Sequence, residues 1–311
     1  MKTPLIEVKK LTKIFGKNVV LNDVDLDIPQ NKIFGIIGES GSGKTTLLKA
    51  LIGFVKPESG TILFEGKEIN KNMGAIRERF GFASQDNCFY PKLNIVENLE
   101  FFGTLYGISK ENIKASISKL LKFVELEDSK DTLAENLSSG MQRRLDIACS
   151  LINNPKVLIM DEPTQDLDPV LRKEIANLIK RINENGTTVI LTSHLLFEAE
   201  VLCDEIAILH QGKILEMGTP DQLKAMYSKN QEIHLKTSPG RYDLILKGLR
   251  GDKSISHVQH KGHKIIIFTP KAEHVLKRLL SVVVRCGEEL VDVDLRKPSL
   301  NEVFESLVAK K

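Results

Sequence analysis

Apolar and polar positions alternate with a period of two through "LIEVKKLTKIF" and "VVLNDVDLDI", so residues 5–28 are predicted to form two strands. "GTILFEG" at 60–66 adds another. "KIFGIIG" at 32–38 differs: it is a short unbroken apolar run, as in a strand covered on both faces, and "TTLLKALIG" after it turns to helical spacing. From about 92 to 154 the pattern is helical, with breaks near 107–109 and at Ser129. Next come the strand "KVLIMDEP", the helix "PVLRKEIANLIKRINENG", the strand "TTVILTSH", the helix "LFEAEVLCD" and a single strand, "EIAILHQGKIL". Strands alternating with helices predict an α/β fold around a mostly parallel sheet.

The polar stretch "MYSKNQ" at 226–231 reads as a linker, giving a first domain over 1–226 and a second over 231–311. In the second, a strand at 231–237, a helix at 240–249, strands at 254–260 and 264–269, a helix at 271–285 and a strand at 288–296 follow in order. That is the βαββαβ plan of ferredoxin-like domains. A last helix opens on "SLNE", with Ser299 and Glu302 spaced as a capping box. The three histidines of "HVQHKGH" fall on two strands joined by a Lys-Gly turn, which scatters their rings over two faces.

A length of 311 residues accommodates two domains, and 41% hydrophobic with 27% charged residues suits a globular chain. No apolar run approaches the roughly 20 residues of a membrane span, and "MKTPLIEVKK" lacks the apolar core of a signal peptide. The expectation is a cytoplasmic chain that reaches a membrane only by docking. Cys88, Cys149, Cys203 and Cys286 are widely spaced, as reduced packing thiols are. A net charge of +3 is too small to point to nucleic acid. It is unevenly spread: residues 231–311 hold 15 Lys and Arg against 10 Asp and Glu, and the remainder holds 29 against 31. A mildly basic second domain fits a membrane surface or an acidic partner.

"GESGSGKT", Gly38 to Thr45, fits G-x-x-x-x-G-K-[ST] between a predicted strand and a predicted helix. Gly38, Gly41 and Gly43 let the loop's N–H groups, including those of Glu39, Ser40, Ser42 and Thr46, turn toward a phosphate at the helix N-terminus. Lys44 supplies a point charge, and the Thr45 hydroxyl suits Mg²⁺. Asp161 and Glu162 end a buried strand, where open α/β sheets bind ligands. Asp161 suits the metal and Glu162 suits a general base. His194 ends the following strand and so can share that rim, and Gln85 could complete the metal shell through its side-chain oxygen. "LSSGM" caps a further helix with Ser138 and Ser139, and Gly140 permits close approach. This second anion site carries neither a lysine nor a carboxylate for a metal. It makes sense if a second copy completes it, each lysine-bearing loop facing the other chain's serine-capped helix.

Together these stretches resemble the ATP-binding cassette (ABC) ATPases over residues 1–220. In that family's terms "GESGSGKTT" is the Walker A loop, Gln85 the Q-loop glutamine, "LSSGM" the signature, "VLIMDE" Walker B with the catalytic Glu162, "TQDLD" through Asp168 the D-loop, and His194 the switch histidine. The resemblance implies a RecA-like core with an antiparallel β subdomain and a helical subdomain at about 92–154. It implies ATP and Mg²⁺ as ligands, Phe15 stacked on adenine with Val20 nearby, and Ser138, Ser139, Gly140 and Asp168 acting in trans. The implied partners are a second copy or a paralogous ATPase, head to tail, and an integral membrane permease at the cytoplasmic face. No nucleic acid is expected. The usual signature is L-S-G-G-Q, so Ser139 and Met141 depart from it. "MQRRL" and the closing "PSLNEVF" are similar to the daunorubicin-resistance exporter branch. An ABC ATPase acting on nucleic acid or ribosomes is the rival reading, but only 52 positions separate Gln85 from Leu137, too few for a long coiled-coil arm. A nonhydrolytic ATP-binding regulator is the other.

Overall fold

The structure, a computed structural model, describes residues 3–71, 74, 78–227, 231–296 and 299–308. The chain divides into two compact units between Thr219 and Pro220.

The first unit is built on a six-stranded sheet. Strands β3 (Ile33–Ile37), β6 (Phe80–Ala83), β7 (Val157–Met160), β8 (Thr188–Ser193), β9 (Glu205–His210) and β10 (Lys213–Gly218) lie in the order β10-β9-β3-β8-β7-β6. All neighbours are parallel except β9 and β10. Every residue of β3, β7 and β8 is buried, the outcome that the unbroken apolar runs of β3 and β7 require. A second, antiparallel sheet orders β1 (Ile6–Phe15), β2 (Asn18–Ile28), β4 (Ser59–Phe64) and β5 (Lys67–Glu68) as β2-β1-β4-β5. Between the sheets, helix α1 (Lys44–Leu51) contributes Leu47, Leu48 and Leu51 to one core with Leu21, Leu26, Phe34 and Ile159. Burying each such side chain stabilises the unit by about 1.5–3 kcal/mol.

Three helices fill the predicted helical stretch: α2 (Ile95–Leu105), α3 (Lys110–Val124) and α4 (Ser139–Leu151), which pack on one another. Each has a sequence-encoded start. Asn94 and Glu97 form a capping box, and Ser109 and Ser138 cap α3 and α4 through their hydroxyls. Helix α5 (Pro169–Glu184) begins on Asp168 with proline at its first position, and α6 (Leu196–Leu202) follows β8.

Two elements differ from the sequence expectation. "EIAILHQGKIL" is the hairpin β9–β10 instead of one strand. Gln211 and Gly212 both take positive φ, 46° and 75°, the conformation of a tight two-residue hairpin turn. The four residues of β6 had no strand assigned. Gly81 lies there because a Cβ would stand 2.0 Å from the Ser150 carbonyl oxygen, so the strand gave up an apolar side chain to let α4 approach.

In the second unit β11 (Gln231–Ser238), α8 (Tyr242–Leu249), β12 (His257–Lys261), β13 (Lys264–Thr269), α9 (Ala272–Arg285) and β14 (Glu289–Arg296) follow the βαββαβ order. The sheet runs β12-β13-β11-β14 with every pair antiparallel, as the split βαβ plan demands. Ser299 and Glu302 make the reciprocal backbone bonds of a capping box at α10 (Leu300–Val308). The boundary lies earlier than the polar stretch suggested, because helix α7 (Pro220–Tyr227) packs against α10 and belongs to this unit. Residues 228–230 of that stretch, and Pro298 of "PSLNEVF", lie outside the described residues.

Candidate active site

Parallel register brings the chemistry to one rim. Ile37 is opposite Ser193, Met160 opposite Leu191, and Ala83 opposite Met160. The next residues of these strands therefore leave the sheet together at its C-terminal edge, where ligands of open α/β sheets bind. They are Gly38, the Asp161–Glu162 pair, His194 and, from β6, Gln85.

The loop between β3 and α1 is shaped by its glycines. A Cβ on Gly38 would stand 2.1 Å from the Leu209 carbonyl oxygen, and Gly43 sits at φ 107°, closed to other residues. Lys44 is buried; its Nζ donates to the carbonyls of Gly38 (2.9 Å) and Glu39 (3.1 Å) and lies 3.3 Å from Glu162 Oε1. The other Glu162 oxygen meets His194 Nδ1. Glu162 is thus wedged between a fixed cation and an imidazole, at a φ of 50° that non-glycine residues seldom adopt. Beneath it the Thr45 hydroxyl donates to Asp161 Oδ2 (2.7 Å), and Thr192 donates to Asp161 Oδ1 (2.5 Å) while accepting the Glu162 N–H (2.9 Å).

Of these, Gly43, Lys44, Thr45, Glu162 and His194 border a cleft of about 440 Å³, whereas Gly38, Asp161 and Thr192 do not line it. Val20, Ser40, Gly41, Gly43, Lys44, Thr45, Thr46, Gln85, Glu162 and His194 line it, together with Gln165. Gln85 donates its amide to Gln165 Oε1 at 3.1 Å. The Ser42 hydroxyl is buried in the loop without a hydrogen-bond partner but does not line the cleft; the fit to a bound phosphate rests on Ser40, Gly41, Gly43, Lys44 and Thr45, which do. Thr45 and Asp161 offer a hydroxyl and a carboxylate, the oxygen donors that Mg²⁺ prefers.

Other predicted residues stand apart. Phe15 is half exposed at the end of β1, with Lys13 Nζ 4.8 Å from its ring centroid, and does not line the cleft. Glu39 points to solvent. None of Ser138, Ser139, Gly140 and Asp168 lines it either. Ser138 accepts the Met141 N–H at 3.3 Å, and Asp168 accepts those of Val170 and Leu171. Gly140 has a packing reason of its own, since a Cβ would stand 2.7 Å from Leu171 Cδ2. Sequence reading missed Thr192 and Gln165 as site residues. Thr192 carried a weak signal, a hydroxyl that follows the apolar run Val189–Leu191, but only the register shows that it meets Asp161.

Residues 21–165 match the family model described as ABC transporter. The linearmycin resistance ATP-binding protein LnrL of Bacillus subtilis (strain 168) is 32% identical, over 98% of this chain and 99% of its own length. The daunorubicin resistance ATP-binding protein DrrA3 of Streptomyces coeruleorubidus is 33% identical over 96% of this chain and 94% of its own. Among solved structures, the dimeric post-hydrolysis state of the ATP-binding cassette MJ0796 bound to ADP and Pi superposes with a TM-score of 0.62 at 28% identity, covering 69% of this chain and 98% of that one. The chain belongs to the ABC transporter family, as an ATP-binding subunit with ATPase chemistry.

Proposed function

We propose that this chain hydrolyses MgATP in a head-to-tail pair, with a second copy or a paralogous subunit, and thereby drives a membrane permease that exports its cargo. The observation that carries the reading is the placement of Glu162, buried between Lys44 and His194, while the serine-capped start of α4 stays out of that cleft. Lys44 and the loop N–H groups bind the β and γ phosphates. Glu162 takes the proton of the attacking water, and His194 orients Glu162 and faces the γ-phosphate. Thr45, Asp161 and Gln85 would hold Mg²⁺, which neutralises charge developing on the phosphates. Val20 and Phe15 meet the adenine side. From the opposite chain, Ser138, Ser139, Gly140 and Asp168 close the pocket.

No helix among the described residues is long and apolar enough to cross a membrane. The permease is taken as a separate chain in this reading. An apolar ledge supports such a partner. The Tyr90 and Phe101 rings meet at 4.6 Å, and Phe101 and Leu105, one turn apart on α2, are 40% and 69% exposed. In this reading the chain sits peripherally on the cytoplasmic face of the membrane, docked through that ledge. The relatives' names, both of resistance proteins, support outward transport. Replacing Glu162 by Gln tests the core of the proposal: turnover should fall about 100-fold or more while an ATP-dependent dimer accumulates on gel filtration. Parental hydrolysis in E162Q refutes the assignment.

A further inference from the structure

Arg143, Asp146 and Cys88 form a cluster that none of the roles above uses. Arg143, on α4, is 8% exposed, and its guanidinium donates to the carbonyl oxygens of Ser84 (3.1 Å) and Gln85 (3.3 Å). The same Nη1 lies 3.4 Å from Asp146 Oδ2. Asp146 is fully buried, and its Oδ1 accepts both the backbone N–H (2.9 Å) and the thiol (2.8 Å) of Cys88. One planar cation therefore grips the backbone at Gln85, and the acid beside it grips the same loop three residues later. Burial pushes the Asp146 carboxyl up, and burial with the Asp146 charge pushes the Cys88 thiol up, so the thiol stays a hydrogen-bond donor.

In the paired arrangement proposed above, the two ends of this cluster would face different nucleotides. Gln85 lines the cleft of its own chain, where its amide reaches Gln165. Ser138, which caps α4, precedes Arg143 by about 7.5 Å of helix at 1.5 Å per residue. A helix does not bend over that distance without a proline or a bulge, and none is present. We infer that Arg143, clamped by Asp146 and Cys88, is a positioning residue that makes the Q-loop and the signature helix move as one body. Nucleotide at one site of the pair then sets the placement of the serine cap that closes the other site. The inference rests on the paired arrangement proposed above. Lysine cannot replace Arg143, because one ammonium lacks the fork that spans two carbonyls and a carboxylate.

The test uses the full chain and its steady-state ATP hydrolysis. The parent should show a Hill coefficient above 1. R143K should lower kcat about tenfold and bring the Hill coefficient to 1, with KM for ATP within about twofold, a size typical of coupling between sites. D146N should do the same, and R143K/D146N should be no worse than either alone, because all three break one unit. If R143K fails to fold by circular dichroism, C88A, which removes a single thiol hydrogen bond, should still lower the Hill coefficient. A parental Hill coefficient and kcat in R143K overturns the inference, as does a rise in KM with unchanged cooperativity, which would mark Arg143 as a local nucleotide contact. Absence of an ATP-dependent dimer in E162Q refutes the pair and the clamp together, whereas an E162Q dimer beside a cooperative R143K refutes the clamp alone.

Discussion

Replacing Thr192 by Val keeps the shape of a fully buried side chain and deletes only its hydroxyl. Two bonds go with it, the one donated to Asp161 Oδ1 and the one accepted from the Glu162 N–H. A hydrogen bond to a charged acceptor contributes about 1.5–3 kcal/mol, and a buried N–H left without a partner costs about 1–3 kcal/mol. No cavity opens, so the expected loss of stability is the sum of the two, about 2.5–6 kcal/mol, read as a lower urea midpoint at unchanged m-value. Activity should fall further than stability alone explains. Glu162 holds its unusual φ with this N–H fixed, and a misplaced base costs on the order of 10–100-fold in kcat. The phosphate loop and Lys44 are untouched, so KM for ATP should change little. T192V with the parental urea midpoint and the parental kcat would refute the reasoning that Thr192 holds both acids in place.

Gly140 answers to two demands that a pair of variants separates. G140A should cost about 1–3 kcal/mol through the clash with Leu171, and G140A/L171A should recover that stability in urea while ATPase activity stays low if close approach to the opposite nucleotide is also required. In the second unit, burial opposes ionisation of Glu288, but Arg241 and the N–H groups of Gly240 and Arg241 hold its carboxyl at about 2. A carboxyl held below its ordinary 4.5 stabilises the fold above that pH and ceases to do so as pH falls toward 2. The gap in urea midpoint between parent and E288Q should therefore be full at pH 7, narrow below pH 4.5 and close near pH 2; a constant gap contradicts the assignment.

How much of this was legible in the sequence depends on where each residue's partner lies. The phosphate loop, the acid pair and the signature are local: spacing, glycines and the adjoining strand or helix are all in one short window, and the structure brings Lys44, Thr45, Glu162 and His194 to one cleft. Helix starts at Asn94, Ser109, Ser138 and Asp168 are local too, because a cap and the N–H it accepts are two or three residues apart. Strand β6 was not legible, since four residues with a central glycine have no period to detect. The break between β9 and β10 could have been read from Gln-Gly, but the apolar positions on both sides continue smoothly through the turn.

Thr192 and Arg143 fall outside local reading for a stricter reason. The partner of Thr192 lies 31 residues away on a neighbouring strand, and the pairing exists only once β7 and β8 adopt their register. Arg143 was visible as part of "MQRRL", but two of its acceptors are backbone carbonyls about 58 residues earlier. A carbonyl is the same in every residue type, so nothing in the side chains at 84 and 85 announces that a guanidinium will grip them. The two ends of such a contact are therefore constrained unequally. Toward this contact position 84 need only keep its backbone path, although its own hydroxyl donates to the Asp86 carbonyl oxygen, whereas position 143 must supply a planar fork and position 146 must supply an acid. A site assembled from motifs is written in the motifs, but the linkage between two sites is written in one arginine and a stretch of main chain.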